Sequence, residues 1–347
     1  MRRISYIDGI KGIGALMVFF THYRMMGLFY PNHFFKENPF FRLIMSGDLA
    51  VHIFLIVSGF SIAMSIASKL GEEQALGGIK SVILKRYFRL LLPMTLLFIV
   101  EGILYLLNAF IPHEWVLSIG GNEQAMNAFQ NLNIGTLPLA ILLSPVGVNF
   151  GWLAPTWMLK YIFYGTFMVV VLRMGTNNLS FSKTICYHCL FACLLYFTSE
   201  YYVSVIVGNL LFEIRLKIKK NEFIALFLFA IGLFVFFTIK TNTNVVVAML
   251  FMVSVLYSNV LEHILSLRPI VWLGSISFSL YIIHWPLICT FSIWGYNVFL
   301  FSNPYVNAVC LFGSTVLLLF LLSQIYTEYF EKRICAKIMT TVQKYLL

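Results

Sequence analysis

The residues of this chain best suited to chemistry lie in its first apolar stretch, where Lys11 and His22 stand 11 positions apart. On a helix that is about three turns. At about 100° per residue the two side chains share a face, offset by about 20° and roughly 16 Å apart along the axis. Asp8 is one turn before Lys11 and beside that face, and the only other aspartate in the chain is Asp48. A histidine titrates near neutral pH and so serves as a general base; the plainer reading is a bundle-facing histidine bonded to a neighbouring helix. Further on come Lys85, Arg86 and Arg89. Arg86 and Arg89 project from neighbouring positions of one helix, and guanidinium forks hold phosphate in bidentate fashion. An ordinary basic collar is the alternative. Glu101 is 12 residues past Arg89, about 18 Å along the same helix. That brings it near the level of His22, where it either orients the imidazole or pairs elsewhere.

The elements that must hold these residues are membrane helices. Of 347 residues 60% are hydrophobic and 11% charged, against about 25% charged in soluble domains. Such a chain cannot cover itself with polar surface, so its solvent is lipid. The net charge of +10 does not indicate nucleic-acid binding, because the basic residues fall in short clusters between apolar runs. The opening stretch has Arg2 and Arg3 but is interrupted by Asp8 and Lys11, and reads as an uncleaved first membrane helix.

Ten apolar stretches are candidate spans, near 10–29, 49–67, 87–107, 153–172, 184–198, 201–214, 222–239, 245–261, 270–292 and 304–326. With the N-terminus in the cytoplasm, 19 of the 24 Lys and Arg residues fall on the inner side, as the positive-inside rule requires. Arg24, Lys36, Arg42 and Lys240 fall outside, and Lys160 lies within the fourth span. The expectation is an all-α polytopic bundle of about ten transmembrane helices with both termini cytoplasmic, one membrane domain over 1–347. The connection 108–153 carries no Lys or Arg, but holds Trp115, Gly120-Gly121 and an apolar run from Thr136 to Ser144 too short to span. It is a lid or substrate-binding element, or a loop packed passively on the bundle. The Cys186-x-x-Cys189 pair around His188 reads as small apolar residues on a helix, since no second ligand cluster has zinc-like spacing; no metal site is expected.

In several blocks the chain resembles the acyltransferase-3 membrane proteins, which O-acylate surface polysaccharides and related acceptors. The opening from Tyr6 through Asp8, Lys11 and Gly12 is similar to that family's D-x-L-R-G-x-A-A-L start. Lys11 and His22 match its (R/K)-x10-H motif, and Arg86 and Arg89 its R-x-x-R motif, followed by Pro93. The run from Val51 to Ser58, Gly59 and Phe60 resembles its V-x-l-F-F-v-l-S-G-F helix, and the run from Ser277 through Tyr281, His284, Trp285 and Pro286 its S-Y-x-L-Y-l-x-H-x-P block. One departure stands out. Where the family often has W-x-L-x-x-E, this chain has Trp157, Leu159 and then Ile162 in place of the acid.

The resemblance implies transfer of an acyl group, in the first place acetyl, from cytoplasmic acyl-CoA to a hydroxyl of a surface polysaccharide or lipid-linked sugar, with no permanently bound cofactor. His22 then acts as general base or as transient acyl carrier, and Lys11, Arg86 and Arg89 meet the donor phosphates. Ser58, Tyr281 or a backbone amide would stabilise the oxyanion. His284 and Trp285 read first as a helix kinked at Pro286 with an aromatic belt anchor, and as supporting residues second. The resemblance also implies a multi-pass protein of a bacterial inner membrane, with a separate periplasmic transferase as a conceivable partner. A transporter or flippase of lipid-linked sugars is the alternative; it would show broken helices and related halves, and no half-to-half similarity is present.

Overall fold

A backbone in lipid must satisfy its own N–H and C=O groups, and helices do so within one segment. In the computed structural model the described residues are 4–67, 75–110, 116, 118–122, 132–215, 217, 219–239, 243–298 and 303–346. Arg2, Arg3, Lys69, Trp115 and Lys240 lie outside them. The elements are helical, with no strand among the described residues. In order they are α1 (Ser5–Met25), α2 (Asn32–Glu37), α3 (Pro39–Ile44), α4 (Gly47–Ala67), α5 (Ala75–Leu106), α6 (Leu137–Leu143), α7 (Leu159–Thr176), α8 (Phe181–Tyr196) and α9 (Glu200–Ile214). There follow α10 (Glu222–Thr238), α11 (Asn244–Tyr257), α12 (Asn259–Leu265), α13 (Arg268–Ser275), α14 (Ser277–Leu287), α15 (Ile293–Val298), α16 (Pro304–Ile325) and α17 (Ala336–Leu346).

Each of the ten apolar stretches lies on one or more of these helices. Among the described residues five helices are long and apolar enough to cross a membrane: Gly47–Ala67, Ile79–Leu106, Ala154–Thr176, Ser277–Val298 and Pro304–Lys344. There are six if α11 and α12, which meet at a 103° bend, count as one broken span. The first helix is not one of the five; it carries Asp8, Lys11 and Arg24. This is a membrane protein built as a helix bundle.

The bundle is organised around α4, which packs against α1, α5, α7, α9 and α11. Its crossing with α9 brings the two backbones into contact. A Cβ on Gly59 would stand 2.0 Å from the Val205 carbonyl oxygen, and one on Gly208 1.9 Å from that of Ile56. Only glycine permits backbones to meet at that range, and membrane helices use it because lipid gives them no hydrophobic drive to associate. The last helix is the opposite case. Pro304–Lys344 runs 41 residues, about 60 Å, so it overshoots a core about 30 Å thick. Its middle is wound as a π-helix over Tyr326–Cys335, and the Tyr326 hydroxyl donates to the Pro93 carbonyl, fastening it to α5.

Candidate active site

His22 lies in the last turn of α1, and the structure gives it a partner from the far end of the chain. Its Nδ1 lies 2.8 Å from Nε2 of His284 on α14. The ring centroids are 5.0 Å apart and the planes differ by 10°. That separation leaves room for two ring radii and a 2.8 Å N···N line, so the rings meet edge to edge, with the N–H aimed at the lone pair. Trp285 closes the pair from the side, its ring edge-on to His22 at 5.1 Å.

The proton positions follow from the next bond. Nδ1 of His284 lies 3.3 Å from the Leu280 carbonyl oxygen, which only accepts, so this nitrogen carries the hydrogen. A neutral His284 then has its lone pair on Nε2, and His22 must donate to it from Nδ1. The basic nitrogen of His22 is therefore Nε2, for which the described residues provide no hydrogen-bond partner. His22 is half-buried, while His284 is fully enclosed. A histidine here occupies the orienting place that a carboxylate fills in hydrolase triads.

The cations gather at the other end of α1. A cavity of about 920 Å³ is lined by residues of α1, α4, α5, α7, α14 and the last helix, at the upper end of the range for small-ligand sites. Lys11, Lys85, Arg86, Arg89 and Lys332 face it, against Asp8 and Glu331. Lys11 pairs with Asp8 at 3.5 Å, and Arg86 Nη2 donates to Ser58 Oγ at 3.0 Å. Glu331 accepts from Ser279 at 2.5 Å. The remaining excess of positive charge suits an anion. Further in, the walls turn apolar through Phe54, Met158, Leu159 and Ile162 to Tyr281. Phe54 and Tyr281 meet edge to face at 6.0 Å, and Tyr281 in turn packs on His284 at 5.9 Å. The cavity is thus bounded by cations and by the Phe54–Tyr281 aromatic wall, and the histidine pair lies behind Tyr281.

Bonded to the Tyr281 hydroxyl is the segment that leads into α7. Leu153 has φ +45°, a left-handed conformation uncommon for leucine, and its N–H donates to Glu101 Oε2 at 2.6 Å. Glu101 is wholly buried, and its Oε1 has no partner. Two residues on, the Pro155 carbonyl accepts from the Tyr281 hydroxyl. Glu101 thus holds a strained turn that anchors the aromatic wall.

The structure brings together His22, His284 and Tyr281 around the pair, and Asp8, Lys11, Ser58, Arg86 and Arg89 around the cavity. Several expectations change. Glu101 pairs with the Leu153 backbone, not with His22, because the loop before α7 fills the space beside it. Trp285 is 3% exposed and packs inward on His22, so it is no belt anchor. Tyr281 has committed its hydroxyl proton to Pro155. Ser58 belongs to the cationic wall, since α4 runs antiparallel to α1 and ten residues from Asp48 carry it about 15 Å toward the Lys11 end. Ile162 is a cavity wall residue. Cys186 and Cys189 are exposed, whereas His188 is buried against Asn209 at 2.9 Å. His22 and His284 stand out separately in the sequence; no spacing rule joins residues 262 apart.

The family profile of the acyltransferase-3 domain, described as an acyltransferase domain, matches residues 4–324, and the chain belongs to that family. An O-acetyltransferase, PaAT-1, of Phomopsis amygdali is 28% identical over 114 residues. That match covers 30% of this chain and 23% of the relative. No solved structure matches.

Proposed function

We propose that this chain is a membrane O-acyltransferase that moves an acyl group, in the first place acetyl, from acyl-CoA to a hydroxyl of a surface polysaccharide or lipid-linked sugar. The observation that carries the reading is the His22–His284 pair: a donor-free Nε2 lone pair, backed by His284, on the same helix as the Lys11 that lines the cationic cavity. The chain crosses the membrane about ten times, with both termini and the cationic cavity at the cytoplasmic side of a bacterial inner membrane. The CoA phosphates lie against Arg86, Arg89 and Lys11, and the pantetheine arm passes the Phe54–Tyr281 wall. The acceptor comes from the opposite side.

The acceptor hydroxyl gives its proton to Nε2 of His22 as its oxygen attacks the thioester carbonyl. The C–S bond breaks, and the CoA thiolate leaves with the proton that His22 returns. During the step the imidazolium is held by its Nδ1–H bond to His284, a bond to a charged donor and so stronger than in the resting pair. The same lone pair would serve an acyl-histidine route; labelled protein isolated without acceptor distinguishes the two. A flippase of lipid-linked sugars, the rival reading, has no use for a histidine fixed in one tautomer. His22→Ala is expected to abolish acetylation of the natural glycan while the protein still accumulates in the membrane. Normal acetylation by that variant would sink the assignment.

A further inference from the structure

At the end of the bundle away from the cationic cavity, α4 begins beside the end of α1. Thr21, the neighbour of His22, donates to the Met45 carbonyl at 2.6 Å, and a Cβ on Gly47 would touch the Thr21 side chain at 3.0 Å. The next residue is Asp48. Its side chain is 42% exposed, and among the described residues no lysine or arginine pairs with it. Oδ1 accepts from the Tyr201 hydroxyl at 2.8 Å and Oδ2 from Asn244 at 2.6 Å. One turn deeper, fully buried His52 bonds Ser204 at 2.7 Å through Nδ1. Its Nε2 stands 3.6 Å from Asp48 and has no hydrogen-bond partner.

Rings surround this carboxylate. Tyr201 stacks on His52 at 4.9 Å, with Trp157 edge-on at 5.2 Å and Tyr161 tilted at 4.9 Å. Trp157 is 37% exposed. A lipid-facing aromatic belt would not turn its rings toward a buried imidazole and an aspartate beside it. Trp157 also lies two residues past Pro155, whose carbonyl holds Tyr281 against His284. The cluster is therefore tied along the chain, through Gly47 and Pro155, to residues that flank the histidine pair, Thr21 and Tyr281.

A carboxylate accepts and does not donate, so its ligand brings hydroxyl or amino hydrogens. Aromatic faces take the C–H side of a ring. Lys160, 5.0 Å over Tyr161, argues against a cationic ligand. We propose that Asp48, Trp157, Tyr161 and Tyr201 form the subsite that seats a pyranose ring of the acceptor glycan beside His22, a reading that rests on acyl transfer being the activity. Asp48 receives the sugar hydroxyls, and the rings of Trp157 and Tyr161 receive its apolar face.

The test uses native cells deleted for this chain and complemented with wild type, Trp157→Ala, Trp157→Phe or Asp48→Asn. Alkali-labile acetate on the purified surface glycan is measured, together with retention of tritiated acetyl-CoA by each purified full-length protein. Trp157→Ala and Asp48→Asn are expected to lower glycan acetate at least tenfold with donor retention within twofold of wild type. Trp157→Phe, which keeps a ring, is expected to retain at least half. Wild-type acetate in Trp157→Ala and Asp48→Asn would overturn the subsite. So would a loss of acetate matched by a loss of donor retention, which would make these residues part of the bundle's frame. A wild-type chain that restores no acetate would instead overturn the acyl-transfer reading itself.

Discussion

Removing His284 tests the histidine pair where its geometry is most demanding. His284→Ala deletes the acceptor of the His22 Nδ1–H, which lies 2.8 Å away. Two consequences follow: the imidazole loses the bond that selects Nε2 as its base, and the imidazolium formed during transfer loses its support. A hydrogen bond to a charged group is worth about 1.5–3 kcal/mol, so the turnover rate is expected to fall about 10- to 150-fold. The loss belongs in kcat, because the donor cavity lies beyond Tyr281 and does not include His284. The assay is transfer of labelled acetyl from acetyl-CoA to glycan by purified protein, with donor concentration varied. His284→Gln offers a side-chain oxygen in the same direction and is expected to recover part of the rate. A His284→Ala enzyme within twofold of wild type, or one impaired only in donor KM, would refute the pairing. So would equal loss in the Ala and Gln variants.

Three other changes probe the frame and the donor end. Arg86→Ala combined with Arg89→Ala is expected to raise donor KM tenfold or more (about 1.4 kcal/mol per tenfold), and added salt should weaken wild-type donor binding in the same direction; titration with labelled acetyl-CoA reads both. Glu101→Ala removes the acceptor of the Leu153 N–H and is expected to cost about 1–3 kcal/mol of stability, seen as a lower melting temperature in detergent, with Glu101→Gln losing less because its amide oxygen still accepts. Gly208→Ala drives a methyl to within 1.9 Å of the Ile56 carbonyl oxygen and is expected to cost about 1–3 kcal/mol or more by overpacking, measured as loss of folded protein on size exclusion.

What was legible in the sequence was whatever lies within one helix. Helical pitch alone places Lys11 and His22 on one face, and Arg86 beside Arg89, whichever neighbours they meet. Hydropathy likewise marks the apolar stretches, because the cost of a polar group in lipid is a property of single residues. The resemblance added His284 and Tyr281 as candidates, though not as neighbours of His22. Partnerships across helices depended on the tertiary structure. The bond from His22 to His284, the capture of Leu153 by Glu101 and the seating of Tyr201 on His52 all depend on how far one helix slides and turns against another. Contacts such as Gly59 on Val205 and Gly208 on Ile56 set that register, and no period within a single stretch encodes it. The sequence thus determined which side chain of α1 carries a base; the packing of α14 decided which of its nitrogens is free.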